Sequence, residues 1–294
     1  MTLGRALVLG GGGSTGNAWL IGVVAGLADG GVDVTRADLI IGTSAGATAA
    51  AQLTSADAAE LYAATIAAVP PPRLAQGAPV ARGPVSSAAN QMERTAAIYA
   101  AAADADDMRL RMGAAAIELA ETQSGDGTAR WRETVAARLT SRDWPEGSLA
   151  ITAVNATTGE PVLFDRDSGV DLVDAVAAST AGGPAYRIGE TWYIDGGYRR
   201  SSENADLAIG CARVLVLSPL GGKSRAPQQW DMHLAAQVRE LEASGSAVEV
   251  MVPGDALDYL FGANAMNPSL RAPAAQGGFE QGRASAERVA DFWE

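Results

Sequence analysis

The stretch Leu39-Ile40-Ile41-Gly42-Thr43-Ser44-Ala45-Gly46, continuing in the Ala-rich run to Ala51, sets an apolar run, a G-x-S-x-G turn and a helix-forming run in direct succession. A short apolar run bounded by glycine reads as a buried strand, and the alanines that follow read as a helix. Serine therefore falls on the sharp turn between them, at the helix N-terminus. The small residues Gly42 and Gly46 let strand and helix pass closely and leave Oγ free. Ser44 is a candidate nucleophile in an α/β protein.

The same order of elements occurs upstream, where Arg5-Ala6-Leu7-Val8-Leu9 reads as a strand, Ala18 to Ala28 as a helix, and Gly10-Gly11-Gly12-Gly13-Ser14-Thr15-Gly16 joins them. Five glycines in seven positions exceed what a tight turn requires. Consecutive glycines before a helix leave backbone N–H groups unobstructed, and the helix dipole favours an anion there. Acyl transfer needs such donors about 3 Å from the developing alkoxide, and loss of one costs about 3 kcal/mol in the transition state. Gly12 and Gly13, with Gly11 in the same loop, form the candidate oxyanion hole, and Thr15 and Gly16 support it. Gly11, Gly13 and Gly16 also satisfy G-x-G-x-x-G. A dinucleotide site would want an acid at the C-terminal end of the second strand. Here Asp38 precedes that strand and Gly42 follows it. Nicotinamide or flavin binding is the weaker alternative, and no cofactor is expected.

Far downstream, Trp192-Tyr193-Ile194 delivers Asp195 into the turn Gly196-Gly197. A carboxylate on a rigid strand end suits a base that activates serine, while an Asp-Gly pair also suits a plain turn. The only histidine, His233, follows Ser44 and Asp195 in the chain order of an α/β-hydrolase triad. Trp230, Leu234 and Val238 around it recur at helical spacing, and a triad histidine usually sits on a loop. Serine is thus expected to be activated by aspartate alone.

With these residues in place the chain resembles the patatin-like phospholipases, serine hydrolases with a Ser-Asp dyad. The family's strand followed by G-G-G-x-[RK]-G is matched by Gly11-Gly12-Gly13-Ser14-Thr15-Gly16, its elbow by Gly42 to Gly46, and its D-G-[GA] by Asp195-Gly196-Gly197. Ala178-Ser179-Thr180-Ala181-Gly182-Gly183-Pro184 is similar to the A-S-x-A-x-P segment that precedes that aspartate in the family. The resemblance implies a three-layer α/β sandwich and hydrolysis of phospholipid, lysophospholipid or acylglycerol esters through an acyl-Ser44 intermediate. A catalytically weak acyl-binding protein of the same fold is the alternative. Thr15 stands where the family usually carries Arg or Lys, which with the acidic surface implies neutral or short-chain esters and lysolipids rather than anionic diacyl phospholipids. Arg199 and Arg200 are candidates to supply charge instead. Asn204 is the candidate to replace the asparagine the family places after D-G-[GA].

Composition agrees with one domain over residues 1–294, with 48% hydrophobic and 19% charged residues, ordinary values for a globular protein. A net charge of −12 disfavours nucleic acid and anionic membrane surfaces, leaving at most peripheral, hydrophobic membrane contact. A lipid or small ester is the expected partner. The N-terminus lacks a basic region followed by an apolar one, so the expected location is cytoplasmic. Single Cys211 excludes an internal disulfide and a cysteine-based metal site, and no metal is expected.

Further strands are expected at Leu149 to Ala153, Val214 to Leu217 and Val248 to Val252, in a mostly parallel central sheet flanked by helices. Glu160 to Phe164 pairs with the first of these through the turn Thr157-Thr158-Gly159. Residues 53–145 carry helical patterns at Ala56 to Ala68, Ser87 to Ala103, Met108 to Gln123 and Thr128 to Leu139, interrupted by Pro70-Pro71-Pro72 and by Gly77 to Pro84. This is a helical insertion expected over the active-site face, with a mobile proline-rich loop, or else a plain helical layer packing on the sheet. Glu280 to Phe292 reads as a last amphipathic helix.

Overall fold

The structure, a computed structural model, describes residues 3–68, 88–123 and 125–294. The first strand, β1 (Leu3–Leu9), leads through the glycine loop into α1 (Gly13–Asp29), and β2 (Leu39–Gly42) leads through Ser44 into α2 (Ala45–Leu53). The helices α3 (Ala58–Ala67), α4 (Ala88–Ala101), α5 (Ala105–Glu121) and α6 (Gly127–Ala136) follow. Next come β3 (Leu149–Asn155), β4 (Pro161–Phe164), α7 (Leu172–Ser179) and the hairpin of β5 (Tyr186–Ile188) with β6 (Thr191–Asp195). The chain closes with β7 (Cys211–Leu217), α8 (Leu234–Ala243), β8 (Ala247–Met251) and α9 (Arg271–Trp293).

All eight of these strands join one sheet. Its centre is parallel, with β1 between β2 and β7, β3 beyond β2 and β8 beyond β7. Successive residues of the central strands face opposite layers: Leu7 and Leu9 pack with α1 and α2 residues, while Ala6 and Val8 pack with Leu234 and Leu241 of α8. Both sides of the strand are buried, which is why these strands read as continuous apolar runs rather than alternating ones. Helices on both faces make the three-layer α/β sandwich, with an antiparallel extension at the β3 end.

That extension positions the site. One edge of β3 pairs antiparallel with β4, through Ile151↔Phe164 to Val154↔Pro161. Its other edge is shared by two strands, β2 running up to Gly42↔Ile151 and β6 running down to Asp195↔Ala153. The C-terminal ends of β2 and β6 therefore meet end to end, two residues apart along β3.

Several elements differ from the sequence reading for local reasons. α1 begins at Gly13, inside the glycine run, because this loop tightens directly into helix. α7 and β5 lack a clear sequence signal: α7 is one short Ala-rich turn pair and β5 has three residues. Trp230 belongs to a separate 3-10 turn, and α8 starts only after His233, because Asp231 takes a left-handed conformation at φ 50°. α9 spans 23 residues and starts ahead of the expected helix, although Pro273, Gly277 and Gly278 argue against it. Proline is tolerated in the first helical turn, and the glycines meet other side chains and another helix. The expected proline-rich loop lies outside the described residues.

α1 is buried along nearly its whole length, and its other side packs on α9. A Cβ added at Gly26 would lie 2.1 Å from the Phe279 carbonyl oxygen, and one at Gly282 would lie 2.2 Å from that of Val23. The two backbones touch where only glycine fits. Gly26→Val is accordingly expected to destabilise the fold by about 2–4 kcal/mol by separating these helices. Thermal unfolding checks this, and a melting temperature equal to that of the unmodified protein contradicts it.

Candidate active site

Ser44 has φ 54° and ψ −116°, a region that side chains other than glycine occupy only under constraint. The constraint is visible on both sides. A Cβ at Gly46 would lie 1.8 Å from the Leu9 carbonyl oxygen and one at Gly42 would lie 2.6 Å from the Ala47 Cα. The Ser44 N–H is held at 2.9 Å by the Ser179 hydroxyl at the end of α7. Turned outward by this elbow, the Ser44 hydroxyl donates to Asp195 Oδ2 at 2.7 Å.

The Asp195 carboxyl serves both readings of its D-G pair at once. Its Oδ1 accepts the Gly197 N–H at 2.8 Å, and its Oδ2 is left for serine. Its own N–H donates to the Ala181 carbonyl at 3.0 Å. Ser179 and Ala181, in the segment similar to A-S-x-A-x-P, thus hold the backbones of both members of the pair. Burial pushes the Asp195 carboxyl up to about 6, against the lowering effect of the bonds from Ser44 and Gly197. His233 lies apart from this pair: its Nε2 is 2.8 Å from the Ala226 carbonyl oxygen, at the N-terminus of α8.

A buried polar cluster lies beneath the pair, and only part of it was legible. The Thr152 hydroxyl donates to that of Thr43 at 2.9 Å. Asn204, left-handed at φ 53°, sends Nδ2 to Thr43 Oγ1 at 3.1 Å and to the Gly196 carbonyl at 2.9 Å. It ties the serine turn to the aspartate turn. Glu203 is a member that the sequence does not announce. Fully buried, it accepts the hydroxyls of Ser201 at 2.7 Å, Ser202 at 2.6 Å and Ser218 at 2.7 Å. Buried carboxylates need such donors. No periodic signal marks a glutamate whose partners are three serines.

The glycine loop approaches Ser44 from above β1. Gly12 and Gly13 offer N–H groups that no acceptor takes among the described residues. Gly11 does not belong with them as a donor: its N–H is spent on the Ser202 carbonyl at 2.8 Å, and it contributes only its lack of a side chain next to Ser44. The Ala45 N–H, in the first turn of α2, is likewise without an acceptor among the described residues and adds a donor the sequence reading missed. Gly12 and Gly16 both press on Pro219, and Gly196 presses on Thr152. Thr15 is fully buried, with its N–H on the Ala265 carbonyl at 3.0 Å. It is not among the residues that line the cavity. Arg199 and Arg200 are not free cations either, because Arg199 makes two 2.9 Å bonds to Asp206 and Arg200 pairs with Glu240.

Ser44, Asp195, Gly12 and Gly13 open into one cavity of about 2500 Å³. Met92 and Tyr99 of α4, Leu119 of α5 and Trp131 of α6 line it together with the pair. Burial raises the Tyr99 hydroxyl to about 12, with the Asp195 charge adding to the effect. Among the described residues no cluster of His, Cys, Asp or Glu is placed to hold a metal ion, and no helix is long and apolar enough to cross a membrane.

A three-layer α/β protein with an elbow serine bonded to a strand-end aspartate defines a narrow structural class. A family model described as patatin-like phospholipase matches residues 7–209, more than half of the 294. The chain belongs to the patatin-like phospholipase family. Among solved structures it is similar to VipD from Legionella pneumophila, at 14% identity and a TM-score of 0.43 over 98% of this chain and 67% of that one. A likeness at that level carries nothing about activity. Comparison with curated proteins finds no match.

The raised Asp195 carboxyl makes a stability prediction of definite sign. The folded state holds this proton more tightly than the unfolded chain, so the contribution is favourable at low pH and is lost as pH rises from about 4 through about 6. Above that window the buried charge costs about 3 kcal/mol. Asp195→Asn is therefore expected to melt higher than the unmodified protein at pH 8, with the advantage shrinking toward pH 4.5. An advantage that does not change with pH contradicts the assignment.

Proposed function

We propose that the protein is a serine esterase that hydrolyses carboxylic esters of lipids through an acyl-Ser44 intermediate. The observation that carries this reading is the 2.7 Å bond from the Ser44 hydroxyl to Asp195, in one cavity with the Gly12 and Gly13 N–H groups, which have no acceptor among the described residues. Asp195 takes the Ser44 proton as Oγ attacks the ester carbonyl carbon, and the carbonyl electron pair moves to an oxyanion held by Gly12 and Gly13. Collapse expels the alcohol, which leaves with the proton from Asp195. Water, deprotonated by Asp195, then attacks the acyl-serine, and collapse releases the acid as the proton on Asp195 returns to Ser44 Oγ. The Ala45 N–H adds to the oxyanion donors, and the dipole of α2 favours the same charge.

The lipid character rests on the cavity. Its volume of about 2500 Å³ exceeds that of ordinary small-molecule pockets. Apolar side chains that include Leu119, Trp131, Trp192, Phe261 and Met266 line it. We assign α4 to α6 the role of a cap over the site within one hydrolase domain. Membrane contact is peripheral and hydrophobic, as suits a chain of net charge −12, and the setting is cytoplasmic.

A fluorophosphonate probe is expected to label the protein at Ser44 and to leave Ser44→Ala unlabelled. Against a p-nitrophenyl ester, Ser44→Ala and Asp195→Asn should each lose about 10²-fold or more of kcat/KM. His233→Ala should stay within about threefold of the unmodified protein. If His233→Ala falls as far as Asp195→Asn, the dyad gives way to a triad. Because the base works ionised, kcat/KM should rise with pH to a plateau with its midpoint near the Asp195 value of about 6. A profile flat from pH 5 to 8 contradicts that role.

A further inference from the structure

The segment between β8 and α9 brings a thioether against the glycine loop. A Cβ added at Gly13 would lie 2.8 Å from the Ala265 carbonyl oxygen and 3.0 Å from Met266 Sδ. Ala265 is fixed there, because its carbonyl accepts the Thr15 N–H of α1 at 3.0 Å while its own N–H donates to the Gly262 carbonyl at 3.2 Å. Backbone bonds thus set where Met266 stands. An amide nitrogen lies about 2.5 Å from its own Cβ by covalent geometry, which puts the Met266 sulfur no more than about 5.5 Å from the Gly13 nitrogen.

Met266 is also the methionine most open to solvent among the described residues. It is 64% exposed, against 40% for Met92, whereas Met108, Met112, Met232 and Met251 are buried. Both exposed methionines line the cavity of Ser44 and Asp195, and Met266 is the one held against Gly13. Oxidation of methionine by peroxide follows exposure. The sulfur lone pair attacks one peroxide oxygen and the O–O bond breaks, so that hydrogen peroxide leaves as water and the thioether becomes a sulfoxide. Sulfur gives up two electrons and the peroxide takes them. The thioether is a weak acceptor, and the polar sulfoxide oxygen is a far better one. The Gly13 N–H has no acceptor among the described residues, and the dipole at the start of α1 favours a negative atom beside it. A sulfoxide bond followed by an N–H···O bond of about 2.9 Å spans a gap of this order.

We propose that Met266 is an oxidation site through which peroxide turns the esterase off, its sulfoxide oxygen taking the Gly13 N–H that the reaction's oxyanion needs. This assignment rests on the reading of Ser44 as the nucleophile with Gly12 and Gly13 as oxyanion donors, and names the regulation of that site. Oxidation leaves the Ser44–Asp195 pair in place and removes a donor, so the loss falls on kcat more than on KM. Sulfoxide reductases, one for each epimer, return the sulfoxide to the thioether, which makes the change reversible. Met266 lies outside the residues 7–209 that the family model matches, so this control is carried by a part of the chain that the family pattern does not cover.

The full chain, Met266→Leu and Met92→Leu are each treated with hydrogen peroxide, conversion of each methionine is followed by mass spectrometry of peptides, and kcat and KM for a p-nitrophenyl ester are measured before and after. Met266 is expected to convert ahead of the buried methionines. The unmodified protein and Met92→Leu are expected to lose at least tenfold in kcat with KM changed less than threefold, and Met266→Leu to keep at least half of its own untreated kcat. Sulfoxide reductases for both epimers should restore the unmodified protein. In nitrogen-15-labelled unmodified protein the Gly13 amide proton is expected to move downfield and to exchange more slowly once Met266 is oxidised. Full activity with Met266 converted, Met266 left unconverted while Met92 is oxidised, or equal loss in Met266→Leu overturns the proposal. A loss of activity with an unmoved Gly13 amide overturns it as well. If the untreated protein hydrolyses no ester, the reading of Ser44 fails on its own, and the Gly13 amide still decides whether the sulfoxide takes that N–H. Should Met266→Leu fail to fold, the amide signal and the reductase rescue of the unmodified protein decide the matter.

Discussion

The edge of β3 that faces away from β4 is the constraint on which the site depends. Two strands arrive on it from opposite directions and stop within two residues of each other, β2 at Gly42 opposite Ile151 and β6 at Asp195 opposite Ala153. Ladder pairing fixes each strand to fractions of an ångström. The chain beyond β2 turns at Ser44, and β6 ends on the aspartate itself, so a 2.7 Å bond joins residues 151 positions apart without relying on a mobile loop. Sites built on regular elements gain precision in this way.

What supports that junction is polar and buried, and it works as a unit. Asn204, Thr43 and Thr152 bond one another beneath the serine and aspartate turns, while Glu203 gathers Ser201, Ser202 and Ser218 beside the glycine loop. Such networks stiffen a site only when every member is satisfied. The same enclosure that orients Asp195 also desolvates it, raising its carboxyl to about 6. A stronger base at neutral pH comes with a less stable fold, because the ionised group lies where water cannot reach it well.

The C-terminal part of the chain completes the cavity although it lies past the family match. α9 packs on α1 through glycine contacts too close for any side chain, which sets the height of the helix that carries Gly13 and Ser14. Ala265 bonds Thr15, and Arg271 bonds Ser14. The helix pair that stabilises the fold therefore also shapes the wall of the cavity.

Ser44, Asp195 and the glycine loop were legible because each is a local pattern: an apolar strand, a turn that needs glycine, and the start of a helix. The parallel sheet was legible for the same reason, since strands buried on both faces are written as uninterrupted apolar runs. The positions that mislead are those whose partner is distant. Gly11 has the right residue type, but Ser202 takes its N–H. Arg199 and Arg200 have the right charge, but Asp206 and Glu240 consume it. Glu203 and Arg271 carry no local pattern at all. By itself the sequence determined which elements form and which turns bear reactive groups, because backbone preference and hydrophobic period are short-range properties. Only the tertiary structure decided which donors stay unpaired and which cations reach the cavity, because a polar group's availability depends on every other group that packing brings within about 3 Å of it.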